Sequence, residues 1–316
     1  MKVRLPLGLA CALGTTLVSA TPALAVDPVV VVATDRPESG PAASTTYLAW
    51  TVISGDFQNV RAQAIGSDTS FRVNPKGRNA VTGGIDGSTL VYELFLPDYE
   101  SSDLALIDLS TRTNLDVPDG VNTDAWEYSP SISGTHLLFG RGIPHGGSIV
   151  LFDISTGTSQ VLFSKTNTHR RFVSIGPGQV NGNYAVWSQV VTRRKDRRIG
   201  DGIIGGDVWL YDIATETTTK LPSAKGVWQS SPSVDSAGTV YFRRRSTFFS
   251  SCGHHTSLVA RQIDGTESLL YTFPGGSDFF FPVAVDNANG TTDVYVDGLN
   301  CEGDPDFSDI WMFPGV

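Results

Sequence analysis

The sequence predicts an all-β protein, a six-bladed β-propeller of four-stranded antiparallel blades, and three observations predict it. The first is a repeated phrase: Ile107-Asp108-Leu109-Ser110-Thr111-Arg112-Thr113 returns as Phe152-Asp153-Ile154-Ser155-Thr156-Gly157-Thr158 and as Tyr211-Asp212-Ile213-Ala214-Thr215-Glu216-Thr217, with a worn copy at Gln262-Ile263-Asp264-Gly265-Thr266. A fixed phrase at long intervals means one structural unit used several times. The second is period: apolar residues alternate with a period of two, and no stretch after the first 25 residues carries a helical pattern. The third is a count: the aromatic strands ending at Trp50, Tyr92, Phe139, Trp187, Phe242 and Tyr295 stand 42 to 55 residues apart. That is the spacing of four-strand blades in a ring.

Taken in chain order, Lys2 and Arg4 open a short positive segment, an apolar stretch runs from Leu5 to about Ala20, and Ala23-Leu24-Ala25 forms an A-x-A cleavage site. Residues 1–25 therefore read as a secretory signal peptide cleaved near Ala25, leaving 26–316 as one domain. Cys11 does not suggest a lipid anchor, because Gly8 stands where an aliphatic residue belongs. No later stretch has the ~20 apolar residues of a membrane span. The expected location is the extracellular or cell-envelope space. A net charge of −9 argues against general nucleic-acid binding, which depends on neutralising phosphates.

Val29–Ala33 is an orphan strand, and Ile310–Phe313 reads as a third strand lacking a fourth. Pairing the two would complete the sixth blade and cover two open sheet edges. Between them each unit runs through a Ser/Pro or Gly-rich lead-in, a strand, a polar turn, the aromatic strand, a variable loop, the strand carrying the Asp phrase, and a Thr-rich turn into a last strand. Ser129-Pro130-Ser131-Ile132-Ser133-Gly134 with Leu137-Leu138-Phe139 and Ile149–Asp153, repeated at Ser231-Pro232-Ser233-Val234-Asp235 with Val240-Tyr241-Phe242, resembles the TolB-type (WD40-like) propeller repeat over roughly Ala43 to Phe313. The resemblance implies the fold and not an activity. The chain departs from TolB itself in lacking a separate N-terminal α/β domain, so a role in the Tol–Pal envelope system does not follow.

In an up-and-down blade the connections after the second and fourth strands share one face. Length varies there, at Phe95–Ser102, Arg141–Gly147, Val191–Gly206, Ser246–Thr256 and Gly298–Ser308, and long loops on a rigid scaffold are the usual seat of function. Cys252 and Cys301 lie in two of these loops, in consecutive blades, and export makes a disulfide between them chemically reasonable. A metal reading of Cys252 with His254 and His255 lacks the third or fourth ligand that zinc sites need. The segment Asp286-Asn287-Ala288-Asn289-Gly290 with Asp293, and Glu302–Asp306 with Asp309, offer oxygen ligands that calcium would accept. Neither matches an EF-hand loop, and ordinary Asx turns explain them equally. No cofactor is otherwise implied.

Trp126, Tyr128, Trp228, Phe279, Phe280 and Phe281 stand just before Pro130, Pro232 and Pro282 on the same face. Two readings are open: platforms for a sugar or peptide, or packing between blades. Arg170-Arg171, Arg193-Arg194 with Arg197-Arg198, and Arg243-Arg244-Arg245 form clusters that suit an anionic partner or a solvated loop. The ligand or partner candidates are thus Trp126, Tyr128, Arg171, Arg193, Arg194, Arg197, Trp228 and Phe280. No G-x-S-x-G, H-E-x-x-H, P-loop or dinucleotide motif occurs. Glu93, Asp98, Glu100 and Glu127 are available carboxylates without a sequence pairing that marks a catalytic couple. The functional expectation is an exported non-enzymatic binding or scaffold module for a protein or glycan; the alternative is an extracellular polysaccharide-degrading glycosidase or lyase.

Overall fold

The structure is a computed structural model that describes residues 26–97, 101–168, 171–193, 203–246, 256–275, 277–300 and 308–316. Residues 1–25, Cys252, His254, His255, Cys301, Arg170, Arg194, Arg197, Arg198, Asp98, Glu100 and the segment Glu302–Asp306 lie outside it. Every regular element among the described residues is a strand. No helix among them is long and apolar enough to cross a membrane.

Strand β1 (Val29–Val32) precedes six repeated units. Blade one is β2 (Glu38–Ala43), β3 (Tyr47–Ser54), β4 (Phe57–Ala64) and β5 (Phe71–Arg72). Blade two is β6 (Ala80–Asp86), β7 (Thr89–Phe95), β8 (Ser102–Asp108) and β9 (Thr113–Leu115), and blade three is β10 (Glu127–Ser133), β11 (His136–Ile143), β12 (Gly146–Asp153) and β13 (Thr158–Thr166). Blade four is β14 (Arg171–Asn181), β15 (Tyr184–Arg193), β16 (Ile203–Asp212) and β17 (Thr217–Lys220), and blade five is β18 (Val227–Val234), β19 (Val240–Ser246), β20 (Ser257–Arg261) and β21 (Glu267–Thr272). Blade six takes β22 (Ser277–Asp286), β23 (Thr292–Asn300) and β24 (Ser308–Phe313) from the C-terminal end. Its fourth strand is β1, which pairs antiparallel with β24 through Val29↔Met312, Val30↔Trp311 and Val32↔Ile310.

A single sheet cannot bury either face alone, so each blade must pack on its neighbours. Six apolar clusters do this, one at each seam. Ala49, Val60 and Leu90 join blades one and two, and Leu104, Phe139 and Phe152 join two and three. Ile149, Val173 and Trp187 join three and four; Val208, Val234 and Phe242 join four and five. Leu258, Phe273 and Phe313 join five and six, while Trp50, Leu48, Tyr295, Ile310 and Val32 join six to one. The aromatic strands counted in the sequence therefore supply the side chains that fill the seams.

The Asp phrase is the turn between third and fourth strands. Asp108 Oδ1 accepts from the Ser110 amide at 2.8 Å and hydroxyl at 2.7 Å, and Asp153 does the same with Ser155. These bonds favour the charged carboxylate and hold Asp108 down to about 2. Four residues after the Asp the chain must turn left-handed: Arg112, Gly157 and Glu216 have φ of 58°, 68° and 55°. Only the second copy supplies the residue that does so without strain.

A second set of bonds ties the first turns of successive blades together on this short-turn face. Ser44 Oγ donates to Gly87 O (2.8 Å), Gly134 N to Asp86 (2.7 Å), Gly182 N to Ser133 Oγ (3.1 Å), and Ser236 N to Asp286 (3.1 Å). This face is a stitched rim. The opposite face carries the longer connections 96–101, 194–202, 247–256 and 301–307. The expected variable loop at Arg141–Gly147 is instead a tight hairpin: β11 continues to Ile143 and β12 begins at Gly146, with His145 at φ 62°.

Removing residues 26–33 exposes the unpaired edge of β24 and the cover over Ile310. It takes away one buried Val and a short ladder, about 3 kcal/mol in all. A chain starting at Thr34 is expected to melt several degrees lower and to associate through the bare edge; equal melting temperature and a monomeric elution profile would show that β1 contributes nothing to holding the ring.

Candidate functional site

The first strand of every blade lines the central channel, and each breaks register with the second strand once. The shifts fall at Ser39/Ala42, Thr82/Gly84, Tyr128/Ser131, Pro177/Val180, Ser230/Ser233 and Phe280/Val283. The cause is readable at four of them, where a proline that cannot donate to the ladder follows a residue at positive φ: Gly40 (57°), Ser129 (47°), Ser231 (48°) and Phe281 (48°). For Gly40 this costs little; for Phe281 it is a strained conformation that the surroundings must hold.

The bulges enclose a chamber of about 230 Å³ on the loop-rich side, lined by Ser39, Thr51, Thr82, Ser129, Ser231 and Phe281 among others. A second cavity of about 230 Å³ opens at the short-turn face beside Asp86, Asn181 and Asp286. Gln179 lies on the wall of both. From blade four its amide spans past blade five to blade six, donating to Ala284 O at 2.8 Å and accepting from Ala284 N at 3.0 Å. Below it Asn181 donates to Asp286 at 2.8 Å. The channel is thus crossed by an amide strut, and the upper chamber has a floor.

In the strands around the chamber several charged groups are paired within the walls. Arg243 (2% exposed) forms a two-pronged ion pair with Asp278, and Arg245 lies 3.6 Å from the same carboxylate. Phe280 covers the Arg243 guanidinium at 4.5 Å and Trp228 at 5.4 Å. Arg244 bonds Glu267 at 2.6 Å. The Arg243–Arg245 run, expected as part of a basic patch, is absorbed into ion pairs, because its carboxylate partners come from β22 and β21. Glu93 is buried; its oxygens accept from Ser102 Oγ (3.0 Å), Trp126 Nε1 (3.1 Å) and the amide of strained Ser129 (3.2 Å). Burial still pushes its carboxyl up. Glu127 is fully buried and held by Arg141 at 2.8 Å and Thr123 at 2.7 Å. Both carboxylates brace the seam between blades two and three, and neither lines the chamber.

The predicted aromatics divide. Trp126 is 46% exposed and Phe281 is 54% exposed. Tyr128 packs against Gly140 and Gly147, where a Cβ would collide with its ring and its hydroxyl respectively, and burial pushes its phenol up to about 12. Trp228 lies against Gly206 of blade four in the same way. Phe279 is fully buried and stacks on Phe273. Arg171 and Arg193 face each other in the β14–β15 register at the loop-rich end. Phe281 carries more of the site than the sequence alone suggested, and the signal was there: it immediately precedes Pro282. Gln179 had no such signal, since its partner is 105 residues away.

No group of three or more His, Cys, Asp or Glu side chains among the described residues converges as a cation site. Asp286 is occupied by Asn181 and Ser236, and Asn289 closes its own turn through Thr291.

The class of protein that this geometry defines is a six-bladed β-propeller with a floored central chamber. No protein-family model and no curated protein sequence matches the chain. Its fold is similar to that of TolB-like propellers. TolB from Acinetobacter baumannii superposes with a TM-score of 0.52 at 13% identity, over 85% of this chain and 64% of that one, so the chain spans under two thirds of that relative. A putative TolB from Agrobacterium tumefaciens gives a TM-score of 0.54 at 15% identity over 89% of this chain and 92% of the other. The β-propeller domain of the Trilobed protease from Pyrococcus furiosus gives 0.50 at 10% identity over 89% and 96%. Likeness at these identities establishes the fold.

Asp297, on β23 opposite Phe280, has its carboxyl raised to about 7 by burial, against hydrogen bonds from Ser308 and the Gly40 amide and with repulsion from Asp278 adding to the rise. One of its oxygens has no partner. A raised folded-state pKa means that folding retains a proton which the unfolded chain has released. Stability is therefore fullest below about pH 4 for this group and is lost progressively up to about pH 7, by roughly 4 kcal/mol at most. Asp297→Asn is expected to raise the urea midpoint markedly at pH 8 and little at pH 4; an equal shift at both would place the effect elsewhere.

Proposed function

We propose that this chain is an exported, non-enzymatic binding propeller that engages a protein or glycan partner of the extracellular or envelope space through its loop-rich face. One observation carries the reading: the two faces differ in what they leave free. Turn-to-turn hydrogen bonds tie up polar groups of the short-turn rim, whereas the other side presents exposed Phe281 at the chamber and exposed Trp126 at the loop-rich start of β10. Exposed aromatics at a concave site are favoured contact groups. The buried pairs Arg243–Asp278 and Arg141–Glu127 support this rather than compete with it, because they fix the walls. The likeness to TolB-like propellers fits a binding role. Export rests on Lys2, Arg4, the apolar stretch after them and the site at Ala25.

The chain from Val26 onward, immobilised and exposed to envelope and culture-fluid fractions, is expected to capture a saturable partner. Affinity for that partner, once identified, should fall about tenfold or more with Trp126→Ala or Phe281→Ala and hold with Thr156→Ala on the opposite face. Loss with the Thr156 variant alone would move the interface to the other face, and time-dependent release of shortened glycans would make the protein an enzyme.

A further inference from the structure

We infer that the upper chamber is a binding site for one uncharged sugar ring, stacked on Phe281 and hydrogen-bonded by Ser39, Ser129 and Ser231; this rests on the loop-rich face being the functional one. None of the residues lining the chamber is ionisable, although Arg243, Asp278, Glu93 and Asp297 all lie in the adjoining strands. A charged ligand group entering it would shed water and meet no counter-charge, which is costly. The site therefore selects a neutral guest, and the anionic glycan suggested by the arginine clusters does not suit it.

Among the described residues, the hydroxyls of Ser39, Ser129 and Ser231 are not engaged by neighbouring groups, whereas those of Thr51 and Thr82 bond each other at 2.9 Å and Ser131 accepts from Val180 N. The three free hydroxyls come from blades one, three and five, so they reach the axis from three well-separated directions. An aliphatic guest would leave all three dry and unpaired. A ring bearing hydroxyls around its rim and C–H groups on its face satisfies them and still covers an aromatic.

Phe281 favours the same guest. A bulky residue at φ 48° is strained, yet here the strain holds the ring 54% exposed at the chamber instead of in the seam that its neighbour Phe279 fills. The size agrees: about 230 Å³ lies just under the ~300 Å³ lower end of ordinary ligand pockets. With Gln179 as its floor, the chamber takes one ring and not a threaded chain.

The test is calorimetric titration of the chain from Val26 onward with cellotriose, maltotriose, mannotriose, trigalacturonate and an uncharged alanine–proline hexapeptide. At least one neutral trisaccharide is expected to saturate at one site, with trigalacturonate weaker by tenfold or more, as about 1.4 kcal/mol of desolvation would produce. Phe281→Ala is expected to weaken binding about tenfold and Ser231→Ala several-fold, with melting temperatures little changed, since Phe281 is more than half exposed and Ala keeps the Cβ already present at positive φ. Binding of trigalacturonate at equal or greater strength, binding of the peptide alone, binding that survives Phe281→Ala, or no sugar binding would each overturn the inference. A captured partner that still depends on Trp126 alongside any of these would leave the loop-rich face as the interface, whereas loss of that dependence would remove both.

Discussion

Everything about this ring depends on how six strands can crowd around one axis. A regular strand presents a continuous ladder and a fixed twist, and six of them around one axis would line a plain channel. Here each innermost strand slips register once at mid-length, and the slip is written with proline preceded by a residue at positive φ in blades one, three, five and six. Blade two reaches the same end with Gly83 and Gly84, because a Cβ on Gly83 would run into Pro130 and the Val91 carbonyl. The bulge bends the strand, frees backbone polar groups toward the axis and makes the chamber. The exposure of Phe281 at the chamber follows from that bend.

Electrostatics follow the same division between wall and chamber. The seam between blades five and six buries Arg243, Arg245 and Asp278 under Trp228 and Phe280. The seam between two and three buries Glu93 and Glu127 around Ser102. Buried charges contribute more to specifying one arrangement than to raw stability, and here they set the orientation of the rings and bulges that face the axis. Asp297 and Glu38, both pushed up by burial and each with an unpartnered oxygen, lie on either side of Ser308 where blade six meets blade one. That junction joins β1 and β2 to β23 and β24, and it holds two buried carboxylates that each keep an oxygen without a partner among the described residues.

The architecture was legible in the sequence because a propeller is written locally and repeatedly. Asp108, Asp153 and Asp212 announce the same turn through a side chain that bonds a residue two places on, and the aromatic strands mark each blade. Even the pairing of Val29–Val32 with β24 is visible as two strands each lacking a neighbour. The site was legible only in part. Arg243-Arg244-Arg245 reads as a basic surface in one dimension, since its partners Asp278 and Glu267 stand 35 and 23 residues away in other strands. Arg141–Gly147 read as one of the variable second-to-third strand connections, and four glycines at 140, 142, 146 and 147 give no apolar alternation to mark its strands. Gly140, Gly146 and Gly147 in fact admit Tyr128 and β13 at distances no Cβ allows. Gln179 carried no local signal, for a strut across a channel is a property of the ring and not of its repeat.

The most direct test of the account is hydrogen–deuterium exchange on the chain from Val26 onward, alone and saturated with its captured partner. Protection is predicted over residues 126–129 and 278–281 at the loop-rich mouth, with the short turns 86–88, 133–135 and 181–183 unchanged. Protection confined to those short turns, with the mouth exchanging as in the free protein, would contradict the assignment of function to the loop-rich face.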